Sequence, residues 1–451
     1  MKLTPVLDPD FRPSVLENLA FKKLVSATKN VDVTIAIERH GDERSLFRTR
    51  LFADREHNEE NKRYIERLTK SLLWIKGGYR ILFSGPRPIG QYLQSLYRSG
   101  GKRAFDAEFM GRIYGKRFVV ELREEKNMPR AYERSKKIGR HLAGYRIGFD
   151  AGGSDRKVAA VVDGKPIYSE EVIWHPKMAT DLDYHRQGIL DSLRRAASKM
   201  PRVDAIGISS AGIYIDNRAM AASLFMNVKD QTGIENIYID AAKKIGDVPL
   251  VVANDGDVTA LAGSMTYDRT RILGIAMGTS EAAGYIDSEG SITGWLNELA
   301  FVPVDHNPNA VIDEWSGDYG CGVKYFSQDA VIELAKRARI TFEEGLYPAE
   351  KLRVVQDLLE EGDERAQDIF RSIGTYLGYG IMHYRTFYEI ETVMILGRVT
   401  SGKGGRIIIE EAKKVLDDLT DEPIELLIPG EKERRLGQAI AAASLPALET
   451  D

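Results

Sequence analysis

Apolar and polar residues alternate with period two across residues 31–38, which predicts a half-buried strand. Residues 47–52 read as its antiparallel partner across a polar turn at Gly41-Asp42. From 58 to 75 the apolar positions Tyr64, Ile65, Leu68, Leu72 and Leu73 recur at helical spacing, predicting an amphipathic helix. Residues 79–83 and 118–122 read as further strands, and 129–142 as a helix leading into the next domain. From Tyr145 the grammar changes. Residues 146–149 predict a strand ending in a glycine turn. Two strand-like runs, 158–162 and 165–173, flank Asp163-Gly164, a strong hairpin signal. Residues 181–200 have the pattern of an amphipathic helix. Apolar runs at 203–209, 250–253, 272–277, 282–286 and 392–396 read as strands, and 437–445 as an alanine-rich helix.

A chain of 451 residues suits about two or three domains. Its 43% hydrophobic and 29% charged content is that of an ordinary globular protein. No run reaches the ~18 apolar residues needed to cross a bilayer. The first residues lack an apolar signal core, and Cys321, the one cysteine, excludes an internal disulfide. The expected location is the cytoplasm. The net charge of −4 hides an asymmetry. Residues 1–145 hold 30 Lys+Arg against 18 Asp+Glu, a net of +12; the remainder holds 63−30=33 against 67−18=49, a net of −16. A basic first third fits an anionic partner such as nucleic acid. It equally fits attraction to the acidic remainder, and the interspersed acids favour that reading.

Candidate chemistry gathers at strand ends. Asp150 is followed by Gly152, Gly153 and Ser154. Glycines let backbone N–H groups approach a phosphate closely, and an acid at a strand end can hold Mg²⁺. Gly278-Thr279-Ser280 follows a second strand and offers N–H and hydroxyl donors. Asn254-Asp255 ends an apolar strand and precedes a helix. An acid there can accept the proton of an attacking hydroxyl. The plainer use of Asp255 is a helix N-cap, but Asp257 could cap equally well and leave Asp255 free. Trp295 to Asp305 and Asp313 to Asp318 mix acids with aromatics, which suits a polyol or a loop packed by its two tryptophans. Tyr184, His185 and Asn217 are further polar candidates.

As an ordered set, these segments resemble the ROK family (repressor, open reading frame, kinase) of the sugar-kinase, heat-shock-protein and actin superfamily. Asp150 to Ser154 match its opening Asp-x-Gly-Gly-Thr, with serine for threonine. Ile206 to Gly212 resemble its next element, and Asn254 to Ala260 its catalytic Asn-Asp motif. Gly278 to Gly284 half match the second phosphate loop, and Ile395 to Val399 resemble the adenosine region. The resemblance covers residues 145–447. It implies an α/β, two-lobed actin-like (ribonuclease-H-like) ATPase fold, here preceded by a mixed α/β domain at 1–144. The implied lobes are 145–255 with 436–451, and 256–435. It further implies ATP, Mg²⁺, a sugar or polyol substrate, and a homodimer. Asp255 would be the base and Asp150 would position Mg²⁺ through water. Gly152, Gly153, Ser154, Gly278, Thr279 and Ser280 would hold phosphates, Gly397 would lie under adenosine, and Asn254 and Glu298 would hold substrate.

Several positions depart from the family. The sugar-binding Glu-x-Gly-His becomes Glu298 to Phe301. The family's histidine is also a zinc ligand beside three cysteines; Cys321 alone cannot build that site, so no zinc is expected. Glu281 replaces a phosphate-loop glycine, where a carboxylate would repel ATP unless neutralised, for which Arg398 is one candidate. These departures support a second reading, a catalytically silent sugar-sensing regulator or scaffold. A hydrolase using water as acceptor is a third. Residues 1–144 lack the two closely joined helices of a DNA-binding helix-turn-helix, so nucleic acid is not the favoured partner.

Overall fold

The computed structural model describes residues 3–133 and 137–448. The chain forms two compact units. The first comprises Met1–Arg134, Ile275–Ala282 and Trp295–Ile428; the second comprises Ser135–Gly274, Ala283–Gly294 and Pro429–Asp451. The division by contact thus differs from the expected boundary at 144/145, because the N-terminal segment is built into the unit that holds residues 295–428.

That segment opens with α1 (Ser14–Ser26). Strands β1 (Asn30–Glu38) and β2 (Arg44–Phe52) pair antiparallel as the alternation predicted. Helix α2 (Asn58–Lys76) leads to β3 (Arg80–Ser84), α3 (Arg87–Tyr97), α4 (Ala104–Ile113) and β4 (Val119–Leu122), giving a sheet of order β2-β1-β3-β4. The predicted apolar face of α2 is buried, but so are Glu66, Arg67 and Lys70 on its polar face. The two cations meet Asp318, whose carboxylate lies 2.9 Å from Arg67, 2.7 Å from Lys70 and 2.7 Å from Arg103. Arg103 also bonds Glu66 at 2.8 Å. Phe301 stacks on Trp74 of α2 at 4.2 Å. The helix predicted at 129–142 does not form in its described part: Tyr132 makes a strand-like bridge with Arg44. Residues 134–136 of that expectation lie outside the described residues.

The second unit is centred on a five-stranded sheet. Strands β5 (Tyr145–Ala151), β6 (Asp155–Val162) and β7 (Lys165–Ile173) form a meander, and α5 (Leu182–Ala197) follows, capped by Asp181. After β8 (Ala205–Ser210), a small hairpin of β9 (Ile213–Ile215) and β10 (Arg218–Ala221) and then α6 (Ile237–Lys243) lead to β11 (Leu250–Asn254). The sheet order is β11-β8-β5-β6-β7, with β11, β8 and β5 parallel. Helix α7 (Asp255–Tyr267) starts where β11 stops. Strands β12 (Ile272–Met277) and β13 (Glu281–Ile286) carry the chain between the units. They belong to a sheet of order β13-β12-β14-β15.

The first unit then adds α8 (Gln328–Arg337), α9 (Pro348–Glu361), α10 (Glu364–Tyr384), β14 (Thr392–Leu396), α11 (Lys403–Leu419) and β15 (Glu425–Leu427). The closing helix α12 (Glu431–Ala443) returns to the second unit and starts earlier than the alanine run suggested. It lies directly on β5 and β8: a Cβ at Gly148 would overlap the Ala439 carbonyl, and one at Gly207 the Ala442 carbonyl. Glycine is required at both places by this close approach. On its other face the sheet buries Ile147, Phe149, Ile206 and Ile208 with Leu193, Phe225 and Tyr238.

Candidate active site

The three parallel strands β5, β8 and β11 end along one edge. Their register places Asp150 opposite Ser209 and Ser210 opposite Asn254. In α/β sheets that carboxyl edge is where ligands bind. Asp150 is 4% exposed; it accepts a hydrogen bond from Ser209 Oγ at 2.7 Å, and Lys157 Nζ stands 3.8 Å from its other oxygen. Burial raises its pKa to about 6, against the opposing pull of Ser209 and Lys157, and the negative charge of Asp255 pushes the same way as burial. The one nearby cation is shared, since Lys157 is bound to Asp155 at 2.5 Å. This carboxylate is short of positive charge, which suits a residue that holds a divalent cation.

Asp255 opens α7 but does not cap it. The cap is Asn254, whose Oδ1 accepts from Gly256 N at 2.7 Å while its Nδ2 donates to the Gly212 carbonyl at 2.8 Å. Asp257, the other expected cap, instead accepts from Tyr285 N at 3.2 Å. Asp255 is therefore relieved of capping, though for a different reason than expected. Burial raises its pKa, opposed by the Gly256 N–H and by Lys177. Beside it lies a buried hydroxyl chain: Tyr214 Oη donates to Ser210 Oγ, which is 2.7 Å from Tyr238 Oη. Gly152 accepts from Trp174 Nε1 at 2.8 Å through its carbonyl, and Gly153 and Ser154 are exposed at the turn. The sheet thus brings Asp150, Asn254 and Asp255 to one edge, with Gly152, Gly153 and Ser154 on the turn that follows β5.

The remaining candidates sit in the first unit. Gly278 closes the β12–β13 turn through its N–H to the Ser280 carbonyl, and its own carbonyl receives Gln328 N, leaving Thr279 and Ser280 exposed. Gly397 has φ +101° with Met277 backbone against its α-carbon, so no side chain fits there. Glu281 does not face outward beside this turn. It is 3% exposed, accepts from Tyr384 Oη at 3.4 Å, and lies where only a glycine at 322 leaves room. Burial drives its pKa well up, which favours the uncharged form over a repelling carboxylate. Arg398 is exposed and does not pair with it. Glu298 is half-buried, and its N–H donates to the Trp74 carbonyl at the end of α2.

Other polar candidates serve the fold. His185 is fully buried, with Nε2 3.0 Å from the Pro176 carbonyl. Tyr184 Oη accepts from His175 N, and Asn217 bridges Leu250 and Val252. Cys321 is buried, 3.5 Å from Lys70 Nζ. Lys157 and Lys177 were missed. The signal for Lys157 was available: two strands joined by a tight turn place it opposite Asp150.

This α/β architecture, with acids at the ends of parallel strands, is that of the actin-like ATPase fold. A family model for the ROK family matches residues 146–437, and the chain belongs to that family. A ROK hexokinase from Thermus thermophilus is 17% identical over 66% of this chain and 97% of its own, with a TM-score of 0.51. A ROK family transcriptional regulator, a homolog of the E. coli MLC protein, is 18% identical over 67% and 79%, with a TM-score of 0.52. A ROK glucokinase from Streptomyces griseus in complex with glucose and AMPPNP is 19% identical over 67% and 99%, with a TM-score of 0.49. No curated protein matches the chain. The family match begins at residue 146, beyond the basic N-terminal segment.

Proposed function

We propose that the protein is an ATP-dependent kinase acting on a sugar or polyol hydroxyl. The observation that carries this reading is Asp255, a half-buried carboxylate whose pKa desolvation raises, freed from capping by Asn254. A base acts best when its pKa lies close to the working pH. Asp255 would accept the hydroxyl proton as the substrate oxygen attacks the γ-phosphorus and the bond to the β,γ-bridging oxygen breaks, releasing ADP. Asp150 would hold Mg²⁺, directly or through water; its hunger for positive charge fits that ion. When bound, the ion neutralises the β- and γ-phosphates. Gly152, Gly153, Ser154, Gly278, Thr279 and Ser280 contact phosphates, Gly397 lies under the adenosine, and Asn254 and Glu298 orient the acceptor. Because the Asn254 amide is already engaged on both sides, its part is to fix Asp255 more than to grip the sugar. The burial of Glu281, away from the turn, removes one objection to nucleotide binding.

The test is Asp255→Asn in a sugar-dependent ADP-release assay paired with calorimetry. The expected result is unchanged ligand binding and at least a 100-fold loss of turnover, the range of a lost general base. Full turnover would remove Asp255 from the reaction. The second reading is a sugar-sensing regulator without phosphoryl transfer. The regulator among the similar structures and the added N-terminal segment favour it. Sugar binding without ADP release from any acceptor would establish it.

A further inference from the structure

We propose that the N-terminal segment carries a second, separate site, for a phosphorylated small molecule of mononucleotide size. The hollow lies within the first unit, between the turn after α3, helix α4 and the turn into β4, and has a volume of about 470 Å³. Small-ligand pockets run from about 300 to 1,000 Å³. Four exposed cations rim it: Arg98 on one side, and Arg112, Lys116 and Arg117 on the other. Glu108 is the acid in the lining. Like charges gathered around one hollow repel each other unless an anion joins them.

The backbone sets this grouping. Gly101 N bonds the Arg98 carbonyl, and the chain after α4 folds back so that Lys116 N reaches the Gly111 carbonyl. Gly100 and Gly115, at φ +69° and +60°, allow the two tight turns. Among the described residues the Arg98 and Arg117 side chains make no hydrogen bond or ion pair, which leaves their donors open to a ligand. Two planar guanidiniums with unused donors can each pair bidentately with the oxygens of a tetrahedral phosphate. The half-buried Phe118 ring, 5.3 Å from the Tyr97 ring, forms part of the wall and makes it apolar and aromatic. The cations converge on a hollow instead of tracking along a stripe, which favours a compact ligand over a nucleic-acid backbone. This site is independent of Asp150 and Asp255 and stands whether or not the protein is a kinase.

The experiment is calorimetry of the full-length protein with AMP, with adenosine as the phosphate-free control. It is run on the wild type, on Arg98→Glu/Arg117→Glu and on Asp150→Asn. Both substituted arginines are exposed, so the double variant keeps its melting temperature. The expected result is AMP binding that adenosine lacks, that Asp150→Asn retains, and that the double variant weakens at least tenfold. Amide exchange should slow in 97–118 when AMP is added. No AMP binding at millimolar concentration overturns the proposal. So does binding that Asp150→Asn abolishes and the double variant keeps. A 20-base-pair duplex that binds with steep salt dependence, is lost in the double variant and displaces AMP would reassign the surface to nucleic acid.

Discussion

Asp318 in the first unit and Asp150 in the second are almost equally inaccessible, at 3% and 4% exposure, yet their charges are treated in opposite ways. Desolvation alone would raise both pKa values. At Asp318 three cations at 2.7–2.9 Å outweigh it, and the carboxyl is held far below the usual range. At Asp150 one shared lysine at 3.8 Å does not, and the value rises to about 6. Burial therefore does not mark function by itself. What separates the two is compensation: Asp318 arrives with its countercharges, while Asp150 is left short of them.

The largest effect is expected from breaking the compensated partner. Asp318→Ala leaves Arg67, Lys70 and Arg103 buried around a void, and should cost about 3–5 kcal/mol in denaturant unfolding. Lys70→Met, which leaves Asp318 two cations, should cost clearly less. Equal losses would mean that the group does not share its charge. Because the Asp318 pKa is depressed, its contribution is present above the unfolded value near 4 and fades as pH falls below it.

A smaller effect of opposite sign is expected at Asp150. Its folded pKa is raised, so its contribution is present below about pH 4 and lost as pH rises through about 6. In Mg²⁺-free buffer at pH 8, Asp150→Asn should therefore be more stable than the wild type, by about 3 kcal/mol at most. The difference should vanish at pH 4, and added Mg²⁺-nucleotide should stabilise the wild type alone. A variant less stable at pH 8 would show that Asp150 is already compensated. The smallest effect belongs to Glu281→Gln. Burial favours its uncharged form, so replacement by an amide of the same shape should change stability by less than about 1 kcal/mol. A large loss would mean that Glu281 is ionised and paired.

Local pattern was enough wherever a residue's partner lay close in sequence. Strands β1, β2 and β5–β7 and the face of α2 were legible because period and turn chemistry are local. Asp150 and Asp255 were legible as candidates from motif order, and the sheet brings them to one edge. The buried polar face of α2 was not legible. The apolar pattern says nothing of Arg67 and Lys70, whose burial is matched by Asp318, some 250 residues on. Glu281 was misjudged for the same reason: its direction depends on Tyr384, about a hundred residues away. Helices α1, α3 and α4 also escaped the pattern reading. In α4 the buried set includes Asp106, held by Trp74 Nε1 at 3.1 Å.

The bare backbones at Gly148 and Gly207 have a consequence for synthesis. Strands β5 and β8 leave the ribosome well before the helix that covers these two glycines, whose Ala439 follows Gly148 by about 290 residues and whose Ala442 follows Gly207 by about 235. Until then one face of the central sheet has no lid, and its apolar flank is open to solvent and to other chains. The second unit can therefore lock only after translation has passed the whole of the inserted first-unit sequence. Such late closure exposes an intermediate to aggregation. A nascent chain halted before residue 431 should be caught by chaperones far more often than one halted after 445.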